Sequence, residues 1–232
     1  NDMNSQLYGD NSLLGNDFQN EIKWNEINPY TQLMVNYKGS ALNLNVTLPM
    51  NFYGMDYKDV LRNKDTETSK TVFEPSLWAS YDFASFWKIW AFGNLGYDFG
   101  SFGSVYDGFV LTNPRALGNR NSTLLPENRT LNATSRLEYR NPLNNLFFNI
   151  RYTYADFNKN IISATKRFES GAATTSLVYE DNNSYSQSEG AEIGKYFPKF
   201  KTNASVTFTN RDTNAFSRLI DKNDVSNLIE NK

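Results

Sequence analysis

The chain has 232 residues, a net charge of −2, a pI near 5.3 and neither Cys nor His. Lack of Cys excludes a disulfide framework and a thiolate metal site, and lack of His excludes imidazole bases and ligands. With no basic stripe, the chain also has no footprint for nucleic acid. Aromatic residues reach 15% at a mean hydropathy of −0.60. A disordered chain is poor in aromatics, so this polar composition points to a fold whose apolar residues occupy alternate positions only. No run of roughly 18 apolar residues is present, so no transmembrane helix is encoded, which says nothing against spanning strands.

Residues 1–28 are polar and turn-rich and read as a loop with a short strand near Ile22–Trp24. A first strand is expected over 29–38, with Thr31, Leu33, Val35 and Tyr37 on one face. After the tight turn Lys38-Gly39-Ser40 comes the clearest element of the chain. Over 41–52, Leu42, Leu44, Val46, Leu48, Met50 and Phe52 share one side, while Asn43, Asn45, Thr47, Pro49 and Asn51 share the other. Side chains alternate along a strand, so one face is wholly apolar and the other uncharged. The two strands form a hairpin. Residues 53–70 are charged and aperiodic and are expected to be a long loop.

A third strand is expected over 71–82 and a fourth over 86–99, joined by the short turn Phe83-Ala84-Ser85. Residues 100–128, rich in Asn and Gly and holding Pro114 and Pro126, read as a second long, irregular connection. A fifth strand over 129–140 and a sixth over 145–156 flank the turn Asn141-Pro142-Leu143-Asn144. Shorter strands are expected near 161–169, 174–181, 186–196 and 200–209, and the period is lost after Arg211. Every second connection is therefore short, and aromatics cluster beside the short ones: Tyr81, Phe83, Phe86 and Trp87, then Phe147 and Phe148, then Tyr196, Phe197 and Phe200. An antiparallel up-and-down meander with long loops at one end and aromatic girdles is the layout of a transmembrane β-barrel. The expected fold is thus all-β and part of such a barrel. It comprises a lead-in over 1–28, about ten barrel strands over 29–211, and a loop or the start of a further strand over 212–232.

The hairpin "YKGSALNLNVTLPMNFY" (Tyr37–Tyr53) resembles the barrel strands of Bacteroidetes TonB-dependent outer-membrane proteins. So do the run Tyr106–Ser163 and the segment "EIGKYFPKFKTNASVTFT" (Glu192–Thr209). The resemblance covers most of 29–211. It implies a receptor or transporter in the cell outer membrane, with a barrel of about 22 strands and a plugged lumen. It also implies lipid around the barrel, a solute of unknown identity, energy from the TonB complex delivered through a plug not found in this chain, and a possible partner lipoprotein at the surface. No plug, TonB box, signal peptide or aromatic-ended closing strand is recognisable, so the chain is expected to be an excerpt from the middle of a larger barrel. The alternatives are a soluble or surface-exposed β-sandwich of adhesin type with a binding role, and a small barrel enzyme using loop carboxylates.

No catalytic constellation, cofactor motif or metal set stands out, so a non-enzyme is expected. Asn43 and Asn45 are placed on the lumen-facing side, as are Arg136, Glu138, Arg140 and Arg151. These charges either guide a solute or touch the plug, or form a cross-strand ladder solvated inside the barrel; opposed charges on paired strands are an ordinary stabilising device. Asp56, Asp59, Asp65, Glu67 and Lys70 read as a solvated loop, with no calcium-loop spacing. Gly93, Gly96, Gly100 and Gly103 mark bends or bulges rather than a phosphate loop. Tyr106, Phe109 and Arg115, aromatics and an Arg on one long loop, are the candidates for ligand contact.

Overall fold

The computed structural model describes residues 2–4, 19–104, 108–113, 116–120, 125–169, 173–220 and 226–231. They form one fourteen-stranded sheet and, apart from a 3-10 turn at Phe102–Ser104, contain no helix. The first strand, β1 (Asp2–Asn4), pairs with β2 (Gln19–Ile27). Next come β3 (Tyr30–Lys38), β4 (Leu42–Asp59), β5 (Lys64–Phe73), β6 (Ser76–Ala84) and β7 (Trp87–Asp98). A hairpin of β8 (Gly108–Asn113) and β9 (Ala116–Arg120) lies within the following connection. The chain then forms β10 (Asn128–Asn141), β11 (Leu146–Arg167), β12 (Ala173–Phe197), β13 (Thr202–Ile220) and β14 (Ser226–Asn231).

Two pairs of these strands act as single strands. β2 and β3 lie end to end along one edge of β4, and their partners step one for one across the gap, Ile27 facing Gly54 and Tyr30 facing Asn51. β5 and β6 do the same along the other edge, Phe73 facing Met50 and Ser76 facing Thr47. The gaps fall at Asn28-Pro29 and Glu74-Pro75. Proline has no N–H for the ladder but keeps its carbonyl. Pro29 O accepts from Phe52 N at 2.9 Å and Pro75 O from Leu95 N at 3.0 Å, so register survives both breaks. Eight long strands result, each antiparallel to the next: β2–β3, β4, β5–β6, β7, β10, β11, β12 and β13.

The all-β antiparallel up-and-down meander expected from the alternation is therefore present. The turns at 39–41, 85–86, 142–145 and 198–201 lie at one end, and the four-residue turn at 60–63 lies at the other. Among the described residues no pairing joins β3 to β13, so the sheet has two open edges.

Several expected elements are corrected. Residues 53–70 are no loop: β4 continues to Asp59 and β5 begins at Lys64, with a four-residue turn between. Fully buried Asp59 holds that turn, accepting from Leu61 N and Arg62 N at 3.1 Å each and from Arg62 Nη1 at 3.0 Å. The connection 100–128 is not wholly irregular, because it carries the β8–β9 hairpin. The segments 161–169, 174–181 and 186–196 are not separate strands but the continuation of β11 and the whole of β12. A bulge lies between the segments expected to be separate, where the register shifts between Lys159 and Ile161. Asn182 Nδ2 donates there to Lys159 O, Ile161 O and Glu180 O at 3.2, 3.1 and 3.0 Å. The tail after Arg211 is also strand: β13 runs to Ile220 and β14 pairs back on it.

Above the bulge, β13 changes partner. Over 202–214 it pairs with β12, but Arg218–Ile220 run parallel to Ala164–Lys166 of β11. Arg218 spans the crossing with a two-pronged bond to Glu180 of β12, Nη2 to Oε1 at 2.8 Å and Nε to Oε2. The guanidinium hydrogen bond holds the Glu180 carboxyl below its ordinary value. A carboxyl with a depressed folded value loses its contribution as pH falls through that value, below the usual carboxylate range. Amide protection factors at 218–220 are therefore expected to stay constant down to that range and to drop beneath it. In Glu180→Gln the drop should be absent and protection lower above the carboxylate range, converging with the unsubstituted protein below it, measured by hydrogen exchange.

Candidate functional site

Register sorts the side chains into two faces. On one, Leu33, Val35 and Tyr37 meet Leu48, Val46 and Leu44; Leu77, Ala79 and Tyr81 follow on β6, then Gly93, Ala91 and Ile89 on β7. The row continues through Ala133, Ser135 and Leu137 to Ile150 and Phe148, then to Ala191 and Ile193, and ends at Phe208 and Val206. Nothing covers this face among the described residues: Leu33 is 60% exposed, Ile193 51% and Val206 72%. At its short-turn end rings form a chain, Tyr81 to Phe83 at 6.1 Å, Phe83 to Trp87 at 6.2 Å and Trp87 to Tyr139 at 4.9 Å between centroids.

The opposite face is polar. Asn43 and Asn45 lie on it beside Ser80, Trp78 and Asn36, and Asn45 Nδ2 donates to Asn36 Oδ1. Arg136, Glu138, Arg140 and Arg151 are brought together on the same face, since Arg136 pairs with Arg151, Glu138 with Asn149 and Arg140 with Phe147. Glu138 is their hub, with a side chain only 14% exposed. Its Oε1 accepts from Trp90 Nε1 at 3.3 Å and lies 3.0 Å from Arg136 Nε, though not in line with that N–H, while its Oε2 lies 3.4 Å from Arg140 Nε. Across the next strand, Asn149 Nδ2 donates to Glu192 Oε2 at 2.8 Å. The arrangement offers guanidinium, amide and carboxylate groups for hydrogen bonding and holds no nucleophile paired with a base.

Trp90, Asn149 and Glu192 complete this cluster and were not singled out in the sequence. Trp90 reads there as an exception to the alternation of its strand, which is a signal in hindsight. Glu192 carries no local signal, because its place depends on the register between β11 and β12.

A concavity of about 650 Å³ at the short-turn end is bordered by Glu138, Arg140, Phe147, Asn149, Glu192 and Tyr196. Gly194 admits one of its walls, the Phe147 ring. Phe147 pairs with Gly194 and its ring lies over the glycine, where an added Cβ would fall 2.2 Å from ring atom Cζ. The inner face is covered at the other end of the sheet, where buried Ile22 and Tyr57 pack with Trp24 and with Leu125 from the long connection.

Of the loop candidates, Tyr106 and Arg115 lie outside the described residues, and Phe109 is in β8, facing Asn119 of β9. The residues Asp56, Asp59, Asp65, Glu67 and Lys70 sit on the β4–β5 hairpin, with Lys58 3.6 Å from Asp65 and Lys70 2.7 Å from Glu127. Among the described residues no three carboxylates gather into a possible metal site. Of the four glycines read as bends, Gly100 has a left-handed φ of 82° and lies two residues past the end of β7.

Gly194→Ala is expected to push the Phe147 ring off the sheet. The cost should be about 1–3 kcal/mol, typical of overpacking. With Phe147→Ala present the same substitution should cost almost nothing, a non-additivity that a double-mutant cycle measures.

Comparison of the chain with known protein families and with curated proteins finds no match.

Proposed function

We propose that the chain forms part of the wall of an outer-membrane β-barrel of the TonB-dependent receptor type, serving the binding and uptake of a solute. The observation that carries this reading is the uncovered apolar band running across all eight long strands. A contiguous exposed apolar surface of that extent marks a membrane or a protein contact. Its dimensions favour lipid. Leu42 to Phe52 extends roughly 33 Å at ~3.3 Å per residue, or about 25 Å of height at a tilt near 40°. That height is the apolar band of a spanning barrel, and the ring chain from Tyr81 to Tyr139 stands where an aromatic girdle belongs.

A β-sandwich or adhesin would lay a second sheet on the apolar face. The described residues place none there, which favours the membrane reading. In that reading the polar face with Asn43, Asn45 and the Arg136–Glu138 cluster turns to the lumen. The tall hairpins β4–β5 and β11–β12, with the connection that includes Tyr106, Phe109 and Arg115, form the outer ligand-selecting rim. The role is passive, with no chemical step. Energy from the TonB complex through a plug, and a cooperating surface lipoprotein, rest on the family resemblance alone.

The protein is expected to enter the membrane fraction and to need detergent for release; recovery in the aqueous fraction after lysis would sink the proposal. Leu44→Arg and Val46→Arg should each destabilise insertion by roughly 2–4 kcal/mol near the midplane, while Asn43→Arg and Asn45→Arg stay mild. Equal costs on both faces, read by denaturant titration in detergent or lipid, would reverse the assigned orientation.

A further inference from the structure

We propose that Arg136 and Arg151 bind a small oxyanion, a carboxylate or phosphate group carried by a solute. The ladder sets these two residues directly opposite each other on β10 and β11. Like charges at opposed positions destabilise a sheet unless something lies between them. Arg136 is partly compensated, since it shares Glu138 with Arg140. Arg151 has no ion pair among the described residues. The nearest carboxylate by register, Glu192, accepts instead from Asn149 Nδ2 at 2.8 Å.

The space beside Arg151 is open by construction. Its neighbour on the other strand is Gly190, where an added Cβ would meet nothing closer than Phe208 O at 3.7 Å. A cleft of about 210 Å³ remains, bordered by Arg136, Arg151, Asn149, Glu192, Thr207 and Thr209. Two guanidinium forks, an amide, two hydroxyls and the Glu192 carboxylate, which is engaged by Asn149 Nδ2, surround a volume below that of drug-sized pockets and suited to one anionic group. Guanidinium is the group of choice for bidentate capture of carboxylate and phosphate. The site lies on the polar face whatever covers the apolar one, so it does not depend on the membrane reading.

The test uses the protein in detergent micelles, titrated with sodium phosphate and with sodium succinate against sodium chloride at matched ionic strength. Tryptophan fluorescence is the first readout, because Trp90 bonds to the carboxylate beside Arg136. The thermal midpoint is the second. A saturable response to phosphate or succinate and none to chloride is expected, with apparent affinity at least tenfold weaker in Arg151→Gln. Gly190→Asp sets a carboxylate opposite Arg151. It should raise the thermal midpoint without added anion and abolish the response. An equal response to chloride, no response to either oxyanion, or unchanged binding in Arg151→Gln at native strand content would overturn the proposal.

Discussion

Each of the eight long strands hydrogen-bonds to the next with partners stepping one for one over most of its length, and that register is what gives the molecule two different faces. A slip of one residue at any ladder would carry a strand's apolar set to the opposite face. Here Leu44 stands beside Tyr37 and Ala79, Ala91 beside Ala79 and Ser135, and Ile150 beside Leu137 and Ala191. Pro29 and Pro75 at the two gaps, and Pro49 within β4, each lack an N–H for this order. They interrupt only the donors, and their carbonyls stay in the ladder.

A sheet built this way buries little between layers. Among the described residues the buried apolar cluster is Ile22 and Tyr57, beyond the apolar band and beneath the long connection, with Met55, Phe99, Ile162 and Ala164 the other buried apolar residues. Burying a large apolar side chain fully contributes about 1.5–3 kcal/mol, and residues such as Leu33, Val206 and Phe208 obtain less than half of that burial among the described residues. Whatever covers that face supplies the missing stabilisation, and lipid is the proposed cover. Hydrocarbon also tolerates no unpaired backbone groups. The free edges of β3 and β13 must then find partners in the membrane, a requirement that follows from the proposed setting rather than from the strands described.

The polar face follows from the same register and shows a different economy. Glu138 is shared among Trp90, Arg136 and Arg140, so a ladder of charges becomes a connected group. Glycines shape the ground around it. Gly194 admits the Phe147 ring, and Gly190 leaves the neighbourhood of Arg151 empty. On β12, the lack of a side chain at Gly190 leaves the smaller cleft open.

Where polar and apolar residues strictly alternate, as over 41–52, the strand and its facing could be read from the chain alone, and the short turns at Gly39, Ser85 and Pro142 with it. The strand over 64–73 was hidden because Thr and charged residues occupy both of its faces, leaving no contrast for a period of two to show. Residues 157–160 and 182–185 fell between expected strands; in the folded sheet they continue β11 and β12, and Asn182 satisfies carbonyls at a bulge. Arg136, Glu138, Arg140 and Arg151 were assigned to one face from alternation. That Arg136 would oppose Arg151, with Glu192 one row away and Gly190 beside it, depended on which residues pair across β10, β11 and β12. Alternation is a local property of the backbone and determines which way a side chain points. Its neighbours across the sheet come from hydrogen bonds between distant segments, which only the tertiary structure decides.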